Sequence, residues 1–257
     1  MNYSLPFIPE RAAKPRNHGL TMVMDKGLSL SEASNMVDSS ADYIDFVKFG
    51  FGTSLVTPQL KEKIKLYKKS GLRPYLGGTL FELFIIRDMY NDFVKFIDEL
   101  NLDLVEVSDG SMEMDHGVKC DYISRLAKKY TVISEVGSKQ ADVHIPDDKW
   151  VAMMKTEIDA GSWKVIAEAR ESGNIGIYNQ DHSANVKLID DIIEHIKIEN
   201  VIWEAPLKSQ QAWFIKQLGA NVNLGNIATN EALALETLRL GLRGDTFFQF
   251  LPKEIKK

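Results

Sequence analysis

The stretch TPQLKEKIKLYKKSGLRPYL, Thr57 to Leu76, contains one complete helix-to-strand unit and sets the kind of fold to expect. Thr57 before Pro58 places a cap ahead of a proline at the first helical position. Leu60, Ile64 and Tyr67 then share one face of a 3.6-residue period, Gly71 stops the helix, and Arg73–Leu76 reads as a short buried strand. The charge run Lys61–Lys69 reads as the solvated side of that helix.

The same alternation repeats along the chain. Candidate strands are Thr21–Met24, Tyr43–Phe49, Arg73–Leu76, Leu104–Val107, Thr131–Ser134, Lys164–Ala167, Val201–Trp203 and Asn221–Leu224. Between them, Ser29 with Glu32 forms a capping-box pattern, and Leu83, Ile86, Phe93, Ile97 and Leu100 make one long apolar stripe. Val151, Met154 and Ile158 line a helix before Gly161, and Val186, Ile189, Ile193 and Ile196 line another. Eight such units in 257 residues, against about 250 for a typical barrel, predict an α/β chain folded as a single (β/α)8 TIM barrel. No glycine-rich dinucleotide fingerprint follows the first strand, and no composition shift marks a second domain. Residues 1–257 are therefore expected as one domain, with Met1–Gly19 an extension crossing the bottom or side of the barrel.

Composition narrows the function. With 44% hydrophobic residues, 26% charged and a net charge of −5, the chain has no global attraction for nucleic acid or an anionic membrane. An anionic substrate must be held by local cations. The N-terminus lacks the charged and apolar regions of a signal peptide and no apolar run is long enough to cross a bilayer, so a cytoplasmic protein is expected. The single cysteine, Cys120, reads as an inert thiol, and the tryptophans as packing. Five histidines show no zinc-type spacing, and no nucleophile elbow, P-loop or HExxH is present.

In a barrel of this type the C-terminal ends of the strands share one pocket, and here those positions are ionic. They include Asp25 and Lys26, Lys48, Thr79 and Glu82, Glu106 with Ser108 and Asp109, Glu135 and Lys139, Glu168 and Arg170, Glu204, and Asn223 with Asn226. Glu106, Glu135, Glu168 and Glu204 recur at equivalent strand ends, and four carboxylates cannot all be ionised in one dry pocket without a cation. A divalent metal resolves the conflict, and an all-oxygen set suits Mg²⁺; ion pairs with Lys26, Lys48, Lys139 or Arg170 are the alternative. Lys48, between Val47 and Phe49 in an apolar strand, would be buried and needs a partner or a role. Near the C-terminus, Gly225 and Asn226 in Leu224–Ala228, and Arg243 beside Gly244, offer open amides and a planar cation for a phosphate.

These motifs resemble one family in order. LysProArg (Lys14–Arg16), the run Gly19–Gly27, PheGlyThrSer (Phe51–Ser54), GlyGlyThrLeuPheGlu (Gly77–Glu82), SerAspGlySer (Ser108–Ser111), GluValGlySerLys (Glu135–Lys139), GluSerGly (Glu171–Gly173) and Glu204–Gln211 lead into the C-terminal signature. The set is similar to phosphosulfolactate synthase, a family that includes heat-stress-associated relatives. The resemblance implies a Mg²⁺-dependent lyase that adds sulfite to phosphoenolpyruvate to give (2R)-phospho-3-sulfolactate, as in coenzyme M biosynthesis. Sulfite attacks C3, the electrons flow into the carboxylate, and a donor protonates the aci-carboxylate at C2. Lys139 matches the family's proton donor, although Ser138 stands where archaeal members have a second lysine. Lys48 and Arg170 join Lys139 as candidate catalytic residues; Lys14, Arg16, Lys26, Gly225, Asn226, Arg243 and Gly244 are candidate substrate binders. The expected partners are small anions and further copies of the chain. A barrel lyase for another enol phosphate or oxo-acid, or a non-catalytic stress-associated relative, remains an alternative reading.

Overall fold

The computed structural model describes residues 2–137 and 145–255. Eight parallel strands, β1 (Thr21–Asp25), β2 (Phe46–Phe49), β3 (Arg73–Leu76), β4 (Leu104–Val107), β5 (Thr131–Val136), β6 (Lys164–Ala167), β7 (Val201–Glu204) and β8 (Leu224–Ala228), form one sheet in the order β3-β2-β1-β8-β7-β6-β5-β4. The terminal strands β3 and β4 lie side by side and bring the sheet round into a barrel. The outer ring consists of α1 (Leu30–Ser40), α2 (Leu60–Lys69), α3 (Gly78–Ile85), α4 (Tyr90–Glu99), α5 (His116–Ala127), α6 (Asp147–Asp159), α7 (Val186–His195), α8 (Lys208–Leu218) and α9 (Ala232–Arg239).

Local chemistry explains where these elements begin and end. Ser29 and Glu32 close the expected capping box on α1, with Glu32 N to Ser29 Oγ at 3.2 Å and Ser29 N to Glu32 Oε2 at 2.8 Å. The start of α2 differs from the expectation. The Thr57 hydroxyl donates back to the Thr53 carbonyl at 2.8 Å, so Thr57 closes the preceding turn and α2 starts at Leu60 behind a left-handed Gln59. The long stripe from Leu83 to Leu100 is two helices: Asp88 turns left-handed (φ 56°) and the Met89 amide donates to the Phe84 carbonyl at 3.0 Å, which ends the chain path of α3 before α4 begins. Residues 41–43 form a 3₁₀ turn, so β2 starts at Phe46.

The last strand is displaced toward the C-terminus. Asn223 bonds to the Leu20 amide (3.1 Å) and to the Glu199 and Val201 carbonyls (both 2.9 Å), so its side chain does the pairing at the base and ladder pairing starts at Leu224. Between β1 and β8 the register slips, three residues of β1 (Thr21 to Val23) spanning four of β8 (Leu224 to Ile227). Asn226 sits in this bulge at φ 56°.

Strand alternation divides the core in two. Val47, Val105, Val107, Val132 and Val165 face the helices in the larger cluster, whereas Leu20, Met22, Phe46, Tyr75, Leu104, Ile133, Ile166 and Ile202 fill the barrel. The next inward positions along the strands are Lys48, Glu106, Glu135, Glu168 and Glu204, all buried. An apolar layer therefore carries an ionic one at the C-terminal mouth.

Candidate active site

A pocket of about 520 Å³ opens over that ionic layer. Its floor is Lys48, Glu135 and Glu204, and its walls include Gly77, Thr79, Ser111, Arg170 and Asn226. The Lys48 ammonium lies 2.9 Å from Glu106 Oε1, 3.3 Å from Glu135 Oε2 and 3.6 Å from Glu204 Oε1. Burial opposes its charge, but Glu106 and Glu135 outweigh burial and hold the ammonium well above its usual range. Glu204 shows the other side of the balance. Burial pushes it up to about 7, against the pull of Lys48 and of an Ala169 N–H bond at 2.9 Å. Tyr75, buried beneath, is pushed well up by burial and by the charge of Glu106.

The walls are held by side chains whose roles the sequence did not reveal. Gly78 donates its N–H to Glu106 Oε1 at 2.6 Å, and a Cβ there would come within 2.6 Å of Ser108 Cβ and 2.9 Å of Glu106 Oε1, so only glycine fits. Glu82 accepts from the Ser108 hydroxyl and from the Ser111 amide (2.9 Å), tying α3 to the β4–α5 loop. Asp25 does not line the pocket. It is fully buried, accepts from the Gly27 and Leu28 amides (both 2.9 Å), and pairs with Lys63 (2.6 Å) and the Tyr67 hydroxyl (2.7 Å). Lys63 thus departs from the solvated run expected for α2; the missed signal is that it shares a face with Leu60 and Tyr67.

Several expected residues do converge at the mouth. Lys26 reaches across the rim to pair with Glu171 of the β6–α7 loop. Arg170 is exposed at the pocket edge, and its guanidinium has no hydrogen bond or ion pair among the described residues. Asn226 lines the wall, its amide 3.4 Å from the Ala169 carbonyl. Glu168 is buried on the inward side, against Gly137. Lys139 lies outside the described residues.

Other candidate residues lie away from the pocket lining. Lys14 donates to the Ala41 and Ile44 carbonyls (2.9 and 2.6 Å) and Arg16 pairs with Asp45 (2.9 Å), just ahead of β2, so both sit at the opposite end of the barrel. Arg243 and Gly244 follow the end of α9 and line no part of the pocket. The Arg243 carbonyl accepts from the Thr246 amide (2.9 Å) in a turn on the outside of the barrel, while a Cβ on Gly244 would meet nothing within 4 Å. Gly225 lets side chains in rather than a ligand: a Cβ there would lie 2.7 Å from Met22 Cε and 3.0 Å from Ile202 Cγ2. Arg243 lies outside the pocket lining, which spacing along the chain did not show.

Three carboxylates surround one ammonium among the described residues, and Glu106 Oε2 is buried without a hydrogen-bond partner among them. Hard oxygen donors of this kind fit Mg²⁺. No three acidic, histidine or cysteine side chains are gathered as a ligand set among the described residues; Lys48 stands where the carboxylates converge.

The fold and the pocket define a (β/α)8-barrel protein with an ionic site at the C-terminal ends of its strands. In backbone it is similar to the YdjI aldolase of Escherichia coli K12 (TM-score 0.57, 10% identity, 93% of this chain and 91% of that one), a likeness of fold alone. The sequence goes further. Residues 9–245 match the (2R)-phospho-3-sulfolactate synthase family, and the chain belongs to it. It is 41% identical to the phosphosulfolactate synthase of Bacillus subtilis (strain 168) over 244 residues, 94% of this chain and 97% of the relative. It is 40% identical to that of Methanothermobacter thermautotrophicus over 245 residues, 93% and 95% of the two chains.

Proposed function

We propose that this protein catalyses the Mg²⁺-dependent addition of sulfite to phosphoenolpyruvate, giving (2R)-phospho-3-sulfolactate. The observation that carries this reading is the family match, which spans the barrel from residue 9 to 245 and includes every residue lining the pocket. In it, Arg170 at the pocket edge and Lys26, paired with the lining residue Glu171, receive the anionic groups of the substrate, with the Thr79 and Ser111 side chains as neutral donors on the wall. Mg²⁺, when bound, supplies Lewis-acid stabilisation of the charge that develops on the substrate carboxylate, and Glu106 and Glu204 would hold it. Lys48 keeps the acidic floor compact and presents fixed positive charge beneath the reacting carbons.

In this reading the carbanionic species formed when sulfur bonds to C3 takes its proton at C2 from Lys139, by the match of that residue to the family motif. The protein then works in the cytoplasm as a homo-oligomer; exposed Tyr3, Leu5, Phe7, Phe247 and Phe248 near the two ends of the chain support self-association. Phosphorus and carbon NMR of purified protein with phosphoenolpyruvate, sulfite and Mg²⁺ should show phosphosulfolactate accumulating. The product should be lost after exhaustive EDTA treatment and restored by Mg²⁺. Lys139→Met should lower kcat by about 10²–10⁴-fold with little change in phosphoenolpyruvate affinity. Absence of product from well-folded protein would overturn the reading.

A further inference from the structure

We propose that Lys119 is a positioning residue of the pocket: from outside the barrel it holds the end of β5, and with it the Glu135 carboxylate, in register with Lys48. Lys119 lies in the first turn of α5 and is fully buried. Its ammonium meets Asp109 Oδ1 at 2.8 Å, Glu157 Oε1 at 2.8 Å and the Glu135 backbone carbonyl at 2.6 Å. The three partners belong to the β4–α5 loop, to α6 and to the strand end that carries a floor carboxylate. Burial opposes the charge, but Glu157 and Asp109 outweigh it and keep the ammonium protonated.

The contact with Glu135 separates this lysine from one that only neutralises buried acids. The β4–β5 ladder ends at Val107 and Ser134, one residue short of Glu135. Beyond that point the Val136 carbonyl accepts from the Glu168 amide (3.1 Å) on the β6 side, so the Glu135 carbonyl, alternating, faces β4, where no strand remains to pair with it. Lys119 takes the place of that missing strand. Through Asp109 it also fixes the loop whose Ser111 amide bonds Glu82 and whose Ser111 side chain lines the pocket. An error of about 1 Å in a positioned group costs on the order of 10²-fold in rate, so this anchor acts on turnover without touching substrate.

The inference rests on the proposed reaction for its kinetic readout, and amide exchange tests it independently. Lys119→Met alone would leave the buried Glu157 with His116 (3.2 Å) in place of an ammonium, so the informative variant is the double Lys119→Met/Glu157→Gln, with Glu157→Gln as the control that keeps Lys119 on Asp109 and Glu135. In hydrogen–deuterium exchange, peptides covering the end of β5 should lose protection in the double variant, while peptides from β1 and β8 keep wild-type rates. Its kcat should fall about 10- to 100-fold with the KM for phosphoenolpyruvate within about twofold, and the control should stay within about twofold in both. Unchanged protection at the end of β5, or a folded double variant with wild-type kcat, overturns the proposal. A wild type without turnover overturns the proposed function instead and leaves the exchange result to decide this one.

Discussion

The two ends of the barrel use their charged side chains in opposite ways. At the base, cations are spent on the protein's own acceptors. Arg11 pairs with Glu236 (2.9 Å), Arg16 with Asp45 (2.9 Å), and Arg239 donates to the Ala220, Val222 and Leu20 carbonyls at 2.7, 2.6 and 3.1 Å. Asp45 in turn accepts from the Thr21 amide at 2.8 Å, which ties the extension to the start of β1. At the mouth one lysine faces three carboxylates, and Arg170 faces solvent with no partner among the described residues. A charge that is matched within the fold contributes to stability; an exposed cation at the edge of an open pocket is available to a ligand.

The largest effect should come from removing the cation that the mouth depends on. Lys48→Met removes the ammonium that Glu106, Glu135 and Glu204 share, and kcat/KM should fall about 10³-fold, read by steady-state assay. Arg16→Met tests the base. Breaking a buried pair costs about 3–5 kcal/mol, so calorimetry should show Tm lower by about 10 °C, whereas kcat/KM of the folded protein at 25 °C should stay within about twofold. A kinetic defect in that variant would erase the distinction between the two ends.

Arginines at the two locations sharpen it further. Arg170→Ala should raise the KM for phosphoenolpyruvate by about 10- to 100-fold, the worth of a hydrogen bond to a charged group, whereas Arg243→Ala should leave it unchanged. The reverse outcome would return the phosphate to the turn after α9. The smallest effect concerns pH. Glu204 is raised from 4.5 to about 7 in the folded state, so its contribution to stability is full below 4.5 and is lost as pH rises through about 7. Glu204→Gln should therefore flatten the decline of Tm between about pH 5 and 8; an unaltered slope would assign that decline to other groups.

How far the sequence can be read follows the range of the interactions involved. Six of the eight strands lie within two residues of where alternation and punctuation place them, because each is a short buried run bounded by turn residues, while β2 starts three residues late behind the turn at 41–43. The eighth was misplaced by three residues because its start is set by Asn223 bonding to Leu20, some 200 positions away. Lys48 was legible as a buried lysine in an apolar strand, and the recurrence of Glu106, Glu135, Glu168 and Glu204 at strand ends marked the floor. Lys63 and Lys119 were readable only by noticing that each shares a helix face with buried apolar residues: Lys63 with Leu60 and Tyr67, Lys119 with Ile123 and Leu126.

By itself the sequence determined the barrel, the apolar layer beneath an ionic one, and the family, since periodicity and ordered motifs are properties of neighbours along the chain. Only the tertiary structure decided which charges belong to the site. Lys14, Arg16 and Arg243 carry the same charge as Lys48 and Arg170, but the fold sets only the last two against the pocket, so each cation meets different neighbours. That depends on which strand ends, loops and carbonyls the closed barrel brings within about 3 Å of it.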